Sequence, residues 1–190
     1  MEALTQDELI GVLREARAVR ERDYLMVLLA ALHGLRATEV VSLTRDNFDG
    51  GYITVQRLKG SMRTTQPLVE HENELLNEQK SVSDYVLNLH GNQRLFPIRR
   101  QHFWTLMQRY CERAGVPKHK RKPHALKHTC GMMLIKDAGI HVTKQWLGHR
   151  SMSSTGEYLK LSDAEASKVG LPVLQRMGVA PNRLPDSDAL

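Results

Sequence analysis

At 190 residues the chain is long enough for one compact domain with a hydrophobic core and short for two. Its 41% hydrophobic and 25% charged residues are ordinary for a globular protein, and its net charge of +6 favours anionic partners. Its longest apolar run, residues 24–32, is too short to span a membrane. With no signal-peptide pattern and two cysteines, Cys111 and Cys130, that lack metal-type spacing, we expect a cytoplasmic protein without a disulfide framework.

Three helices are predicted in the first quarter of the chain. "LTQDELIGVLREA" begins with Thr5 three residues before Glu8, a capping-box pattern, and its apolar residues then recur at helical spacing. Residues 23–33 are apolar almost all round, so we expect a central buried helix that Gly34 ends. A short helix is predicted at about residues 38–43.

A small antiparallel hairpin is expected next, after the Asp-Gly-Gly turn of residues 49–51. The run "YITVQRL" alternates and is rich in β-branched residues, and "TTQPLV" provides a second short strand. "KGSMR" lies at or near the turn between the two strands.

The second half of the chain predicts helices at residues 71–88, 101–114 and 124–138. One apolar stripe in the second of these is formed by Phe103, Leu106, Met107 and Tyr110. Together with the helix at 23–33, these helices are expected to form the core. The predicted fold class is therefore mainly α with a small antiparallel β-hairpin or sheet.

The helix predicted at 124–138 separates apolar from basic side chains. At roughly 100° per residue its apolar residues cluster on one side: Leu126, Cys130, Met133 and Leu134. His124, Lys127 and His128 cluster on the other side. We expect these three side chains to point away from the core.

Basic residues are concentrated in "GVPKHKRKPHALKH", where no acid interrupts them. The candidates for phosphate contact in this segment, with one more after His149, are Lys118, Lys120, Arg121, Lys122 and Arg150. A one-sided basic surface is typical of phosphate binding. A solvated loop would carry the same charges, so charge alone leaves both interpretations open.

Six residues stand apart as candidates for chemistry: Arg36, Lys59, His124, Lys127, His149 and Tyr158. Taken singly, each has an ordinary explanation. Arg36 and Glu39 can form a surface i,i+3 ion pair. Lys59 beside a glycine suits a turn, and Tyr158 suits a half-buried ring.

Taken together, these residue types suit cleavage of a phosphodiester without a metal. Guanidinium and imidazole groups can stabilise the charge that grows on the non-bridging oxygens as phosphorus becomes five-coordinate. A lysine at a hairpin tip can protonate the leaving oxygen, and a tyrosine phenol can act as a covalent nucleophile. A basic groove would hold the duplex through its backbone.

Four segments resemble, in order and approximate spacing, the tyrosine recombinase (phage integrase) family: "GLRATEV", "LKGSMRT", "PHALKHTCG" and "LGHRSMSSTGEY". The wording "HGLRATEV", "RLKGSMRTTQPL" and "KHTCG" is especially similar to the short bacterial recombinases that invert fimbrial promoter DNA. The resemblance runs from about residue 4 to residue 163. It implies the tyrosine recombinase catalytic-domain fold.

The resemblance also implies a role for each matching residue. Tyr158 is then the nucleophile that forms a 3′-phosphotyrosyl bond, and Arg36 is the first family arginine, which clamps the phosphate. Lys59 matches the hairpin lysine, the general acid for the 5′-hydroxyl. His124 matches the first histidine of the family's His-x-x-Arg box, and His149 the position usually held by histidine or tryptophan.

One position departs from the family pattern, because Lys127 stands where the second arginine is expected. Lysine keeps the charge but loses the planar two-point grip on phosphate. Three explanations remain open: lysine suffices, Arg121 or another nearby arginine contributes, or the enzyme is slow or inactive. We favour the first. His128, in the same box, is expected to support the site.

The function implied is site-specific DNA recombination through a covalent intermediate, with no metal, ATP or cofactor. The expected partner is double-stranded DNA, contacted by the basic residues above. We expect residues 1–180 to form one catalytic domain, ending in a segment at 162–178 that docks on a neighbour in a homotetramer or covers its own core. Residues 181–190 are expected to be a flexible tail. The family's N-terminal DNA-clamping domain is not expected in this chain, whether the chain is a natural short form or an excised domain.

Three alternatives compete with this function. A type IB topoisomerase uses a similar site to relax supercoils. A DNA-binding regulator could keep the fold and lose catalysis, and Lys127 is the main argument for it. His124 and His128, four residues apart on one helical face, have a zinc-type spacing, but no glutamate completes a His-Glu-x-x-His pattern and Lys127 would repel the cation.

Overall fold

A computed structural model describes residues 2–58, 61–87 and 89–156. Within these ranges, none of the helices has the length and apolar character needed to cross a membrane. The elements in chain order are α1 (Gln6–Val19), α2 (Glu21–His33), α3 (Ala37–Ser42), a 3-10 turn (Arg45–Asn47), β1 (Phe48–Asp49), β2 (Tyr52–Val55), β3 (Thr64–Pro67), α4 (Glu78–Val86), α5 (Arg100–Arg113), a 3-10 turn (Lys118–Lys120), α6 (Pro123–Trp146) and α7 (Ser153–Gly156). The predicted class, mainly α with a small antiparallel sheet, is confirmed.

The capping box predicted for α1 is present in full. Thr5 Oγ1 accepts from the Glu8 N–H (3.1 Å), and the Thr5 N–H donates to Glu8 Oε2 (2.7 Å). The buried face of the helix, with Val12 and Leu13 fully enclosed, packs on α2. Helix α1 is therefore part of the core, which was expected to be formed by other helices. Burying each such side chain stabilises the fold by about 1.5–3 kcal/mol.

Gly34 ends α2 as predicted, in the left-handed conformation (φ 58°, ψ 40°). A Cβ on this residue would collide with the Leu147 side chain just after α6. The glycine therefore serves two purposes: it allows the positive φ, and it lets the end of α2 approach the end of α6. The chain then leads directly to Arg36, the N-cap of α3.

The predicted hairpin is confirmed, and β1 adds a third strand in the order β1-β2-β3. Gly50 and Gly51, both with positive φ, connect β1 to β2. In the β2–β3 ladder Tyr52 pairs with Pro67 and Val55 with Thr64. Alternation turns Ile53 and Val55 of β2 into the core.

The helix predicted at 71–88 is wrong at its beginning, since α4 starts only at Glu78. Asparagine side chains compete with helical hydrogen bonds in the preceding stretch. Asn73 Oδ1 accepts from the Leu75 N–H (2.9 Å), and Asn77 Oδ1 accepts from the Lys80 N–H (3.2 Å) and caps α4. Such local bonds favour turns and N-caps over a continuous helix.

The apolar stripe predicted for α5 is confirmed, because all four of its residues are buried. Its Tyr110 hydroxyl donates to the buried Asp23 Oδ2 (2.7 Å) and so ties α5 to α2. Burial, followed by this bond and the charge of Asp23, raises the pKa of Tyr110.

Helix α6 is longer than predicted and is interrupted at Gly139 (φ 77°, ψ 177°). Leu126 and Cys130 are buried as expected. The expectation for Met133 is wrong, since this residue is 51% exposed. The apolar cluster at this part of α6 is formed instead by Cys130, Leu134 and Leu147.

We expect Gly34→Ala to lower the free energy of unfolding by about 2–5 kcal/mol, since about 1–2 kcal/mol comes from the left-handed backbone and about 1–3 kcal/mol from the collision with Leu147. Gly91→Ala is the matched control, because Gly91 also has positive φ but its Cβ would meet nothing within 4 Å. The control is expected to lose only the backbone contribution. Urea unfolding of both variants measures the difference, and equal losses would contradict the packing role of Gly34.

Candidate active site

A cleft of about 560 Å³ lies where α3, Leu58 in the segment after β2, α5 and the start of α6 meet. Polar and aromatic residues on its wall include Arg36, Arg100, Trp104, Lys122 and His124. The structure thus brings Arg36 and His124, which are 88 positions apart in sequence, to one cavity. The basic lining suits an anionic ligand.

Arg36 is held in this cleft by Glu39. Arg36 Nη1 donates to Glu39 Oε1 (2.9 Å) and to the Leu58 carbonyl (3.4 Å), and its backbone N–H donates to Glu39 Oε2 (2.8 Å). The Leu58 N–H also donates to Glu39 Oε1 (2.9 Å). The i,i+3 pair exists, but Glu39 is 1% exposed, so the idea of a surface pair is wrong. Arg36, at 24% side-chain exposure, remains accessible to a ligand.

The Glu39 carboxylate is ionised despite its burial. Burial by itself opposes the charge. The N–H groups of Arg36 and Leu58 and the positive charge of Arg57 outweigh it, so that the pKa of Glu39 lies below its ordinary value. One anion therefore joins Arg36 to the hairpin.

Lys127 is buried, and the prediction that it points away from the core is wrong. Its side chain is 2% exposed, and Nζ donates to the carbonyls of Gly34 (3.1 Å) and Leu147 (3.5 Å). Around the helix, Lys127 lies about 60° from His124 but only about 20° from Leu134, on the edge of the apolar face. The carbonyls at the ends of α2 and α6 offer acceptors at that edge, which the helix alone does not reveal.

Burial also changes the acidity of Lys127. Loss of solvent, followed by the charges of Arg36 and Arg57, lowers the pKa of its ammonium to about 8. An arginine would stay charged under the same conditions.

His124 and His128 share one face of α6, as predicted. Their rings meet edge to face, with centroids 4.7 Å apart. His124 is exposed at the cleft and His128 is half-buried behind it. This packing is consistent with a supporting role for His128.

His149 is buried in the loop after α6. Gly148, with φ 68°, lets the loop approach the hairpin so closely that a Cβ would lie 2.9 Å from Arg57 Cγ. His149 Nδ1 lies 3.1 Å from Thr155 Oγ1 in α7. Burial, then the charges of Lys127 and Arg36, lowers the pKa of His149 to about 4. The imidazole is therefore neutral near pH 7 and can act as a hydrogen-bond donor.

Arg57 is a site residue that the sequence analysis missed. It is 3% exposed, and its guanidinium lies between the hairpin, α2 and α6. One signal was available: Ile53, Val55 and Arg57 alternate along β2 and its extension, and the first two point inward. Continuing that period would have placed Arg57 inside.

Two predicted catalytic residues, Lys59 and Tyr158, lie outside the described residues, as do the 162–178 segment and the 181–190 tail. The described chain before Lys59 reaches the cleft wall at Leu58. Before Tyr158 it reaches α7, where Thr155 contacts His149.

The basic residues expected to bind phosphate fall into two groups. Lys120 pairs with Glu8 (3.0 Å), and Arg121 pairs with Glu112 (2.8 Å), so both already have acidic partners. The other three are exposed: Lys118, Lys122 and Arg150. The roles of all five stay predictions.

In the described ranges, no three His, Cys, Asp or Glu side chains gather as a metal site would require. The thiols do not suit metal binding either. Both cysteines are buried and free, and burial raises the pKa of Cys111 to about 12 and that of Cys130 to about 12.

Two curated relatives illustrate the similarity of the sequence to known proteins. Tyrosine recombinase XerA of Thermococcus kodakarensis is 30% identical over 167 residues, which are 84% of this chain and 58% of XerA. Type 1 fimbriae regulatory protein FimB of Escherichia coli K12 is 31% identical over 170 residues, 82% of either chain. The chain thus spans somewhat more than half the length of XerA and most of FimB.

Solved structures share the fold. The crystal structure of XerA recombinase matches with a TM-score of 0.69 at 21% identity, over 95% of this chain and 64% of that chain. A lambda integrase tetramer bound to a Holliday junction matches with a TM-score of 0.65 at 18% identity, over 80% and 48% of the two chains. The tyrosine recombinase catalytic-domain fold expected from the sequence is therefore confirmed.

The family model described as "Phage integrase family" matches residues 2–165, most of the chain. FimB adds a relative above 30% identity that this chain covers for four fifths of its length. Together with the fold, these matches show that the chain belongs to the phage integrase family.

Proposed function

We propose that the protein is a site-specific DNA recombinase that cleaves and rejoins DNA through a 3′-phosphotyrosyl intermediate, with Tyr158 as the nucleophile. The observation that carries this proposal is the convergence of Arg36, Lys127 and His149. They come from three separate segments, and Lys127 Nζ donates to the carbonyls of Gly34 and Leu147, which lie two residues before Arg36 and His149 respectively.

The electrostatics of these residues suit a phosphodiester under attack. Arg36 is charged, exposed to the cleft and oriented by Glu39, so that it can bind a non-bridging oxygen. Lys127 adds a positive charge just behind it. A neutral His149 can donate a hydrogen bond without adding a third cation. Such fixed donors stabilise the charge that develops in the transition state.

The cleavage step then follows the roles implied by the family resemblance. The Tyr158 phenol oxygen attacks phosphorus, the bond to the 5′-oxygen breaks, and Lys59 protonates that oxygen as general acid. Attack by the 5′-hydroxyl of a second DNA strand reverses the step and rejoins the backbone. His124 on the cleft wall supplies a further donor to the phosphate, with His128 packed against it.

The substrate in this proposal is double-stranded DNA. Exposed Lys118, Lys122 and Arg150 would hold its backbone near the cleft. By analogy with the lambda integrase tetramer on a Holliday junction, residues 1–180 act as one catalytic domain that assembles as a homotetramer through the 162–178 segment. In this proposal the protein is bacterial or phage-encoded and acts in the cytoplasm, where it associates with the nucleoid when bound to DNA.

A second candidate, a DNA-binding regulator without catalysis, is favoured by one observation. The residue at the second-arginine position is a lysine whose ammonium is turned to two backbone carbonyls. The relative FimB is itself named a regulatory protein. Tight DNA binding without covalent attachment would identify this alternative.

We expect the protein to form a covalent adduct with a suicide DNA substrate that carries its recombination site and a nick beside the cleavage point. The adduct should withstand denaturing electrophoresis and be lost in Tyr158→Phe, since only the phenol oxygen can bond to phosphorus. Tyr85→Phe, far along the chain, is a control that should keep it. An adduct that persists in Tyr158→Phe would rule out Tyr158 as the nucleophile.

We expect the rate of adduct formation to fall as pH rises through about 8, because Lys127 loses its proton there. At pH 9 the wild-type rate should be about tenfold below its plateau. Lys127→Arg should keep or raise the rate at pH 7 and remain active at pH 9, because guanidinium does not titrate in this range.

Single-turnover rates between pH 6 and 10, with circular dichroism to verify folding, measure both profiles. Loss of cleavage in folded Lys127→Arg would contradict the proposed role of Lys127. So would a rate that falls at the same pH in both proteins.

A further inference from the structure

The buried Arg57 has every guanidinium donor directed at a protein acceptor. Nε donates to Thr64 Oγ1 (2.9 Å), and Nη1 reaches the Gly34 carbonyl (3.3 Å) and Glu39 Oε2 (3.5 Å). The acceptors around Nη2 are the His33 carbonyl (2.9 Å), Gln66 Oε1 (3.2 Å) and the Trp146 carbonyl (3.2 Å). A guanidinium has five N–H groups, so none is left for a DNA phosphate. Arg57 therefore does not replace the missing second arginine as a phosphate ligand.

The acceptors of Arg57 lie next to the segments that carry the predicted site. The Gly34 carbonyl is two residues before Arg36, and the Trp146 carbonyl is three residues before His149. Arg57 itself precedes Leu58, whose N–H and carbonyl contact Glu39 and Arg36. One planar group thus links the end of α2, the end of α6 and the hairpin.

Arg57 and Lys127 also share an acceptor. The Gly34 carbonyl receives Lys127 Nζ at 3.1 Å and Arg57 Nη1 at 3.3 Å, so two cations lie on one oxygen. The charged and titratable groups acting on Lys127 from the surrounding elements are Arg36, Arg57, Glu39 and Cys130, and Lys127 in turn acts on His149. Among the cations, Arg36 can turn to a ligand, whereas Arg57 is held in place.

We propose that Arg57 is a positioning residue of the cleavage site, which aligns the Arg36 and His149 segments and acts on Lys127 through its fixed charge across the Gly34 carbonyl. The inference rests on the proposed recombinase function. Its consequence is specific to a chain with lysine at position 127. Removing the charge of Arg57 makes protonation of Lys127 easier, so the pKa of Lys127 rises.

The test compares adduct-formation rates of wild type, Arg57→Gln and Arg57→Lys at saturating protein between pH 6 and 10. We expect Arg57→Gln to lower the plateau rate about tenfold to a hundredfold, because the aligned segments lose their common anchor. The pH at which the rate falls should move upward by about one unit. A residue that only stabilises the fold would lower the rate at every pH without moving that point.

Two controls isolate the charge. Arg63→Gln removes the same charge from an exposed residue of the same hairpin and should leave the pH of the fall unchanged. In the Lys127→Arg background, Arg57→Gln should reduce the rate without an upward shift, because no lysine titrates there. The inference is overturned if Arg57→Gln does not change the pH at which the rate falls. It is also overturned if Arg57→Gln shifts that pH equally in the Lys127→Arg background.

If Arg57→Gln does not fold, Arg57→Lys tests the positioning role instead. It retains the charge but lacks the planar fork, so we expect a lower plateau rate with unchanged DNA affinity, since Arg57 makes no contact with the phosphate. An unchanged rate, or a parallel loss of affinity, overturns the positioning role. Absence of any adduct in the wild type would instead refute the recombinase function before the variants are compared.

Discussion

The buried carboxylate of Glu39 is the interaction on which the arrangement of the site depends. It accepts from Arg36, from the Leu58 N–H and, as an ion pair, from Arg57. Without this anion, Arg57 and Lys127 on the Gly34 carbonyl and Arg36 beside the Leu58 carbonyl would repel one another with little solvent to screen them. Their repulsion would separate the end of α2 from the hairpin. The carboxylate therefore determines the direction of Arg36 and permits the burial of Arg57 and Lys127.

A second polar group supports Arg57 from behind. Gln66 Nε2 donates to the Trp146 carbonyl (2.8 Å), so its Oε1 faces both Arg57 and His33. His33 Nδ1 lies 3.0 Å from that oxygen, and His33 Nε2 lies 2.6 Å from Glu78 Oε1. The ring also stacks on Trp146. Because every member has a partner, this network adds rigidity at small cost, and it connects α4 to the hairpin and the end of α6.

Local signals in the sequence predicted most of the fold. The Thr5 capping box, the Gly34 stop and the hairpin each depend on a few neighbouring residues, and each is present. The burial of Lys127 depends instead on carbonyls at the ends of two other helices, which no local pattern reveals. The burial of Arg57 was partly predictable. Strand alternation places this residue inside, but its acceptors come from segments up to 89 positions away. Sequence reasoning therefore found Arg36 and His124 on the cleft wall and missed Arg100 and Trp104 there, as well as the buried Arg57.

The packing explains why a lysine suits position 127 in this chain. Arg57 already fills the space around the Gly34 carbonyl with a planar fork. A compact ammonium lies beside it, between the Gly34 and Leu147 carbonyls, and keeps the positive charge of the arginine in the family pattern. Fixed geometry and positive charge, which one exposed arginine would supply together, thus come from two residues. Arg57 provides fixed geometry, and Lys127 provides a charge that responds to its surroundings. In the proposed function Arg36 is then the guanidinium that meets the phosphate, so its alignment by Glu39 and Arg57 becomes the condition for catalysis.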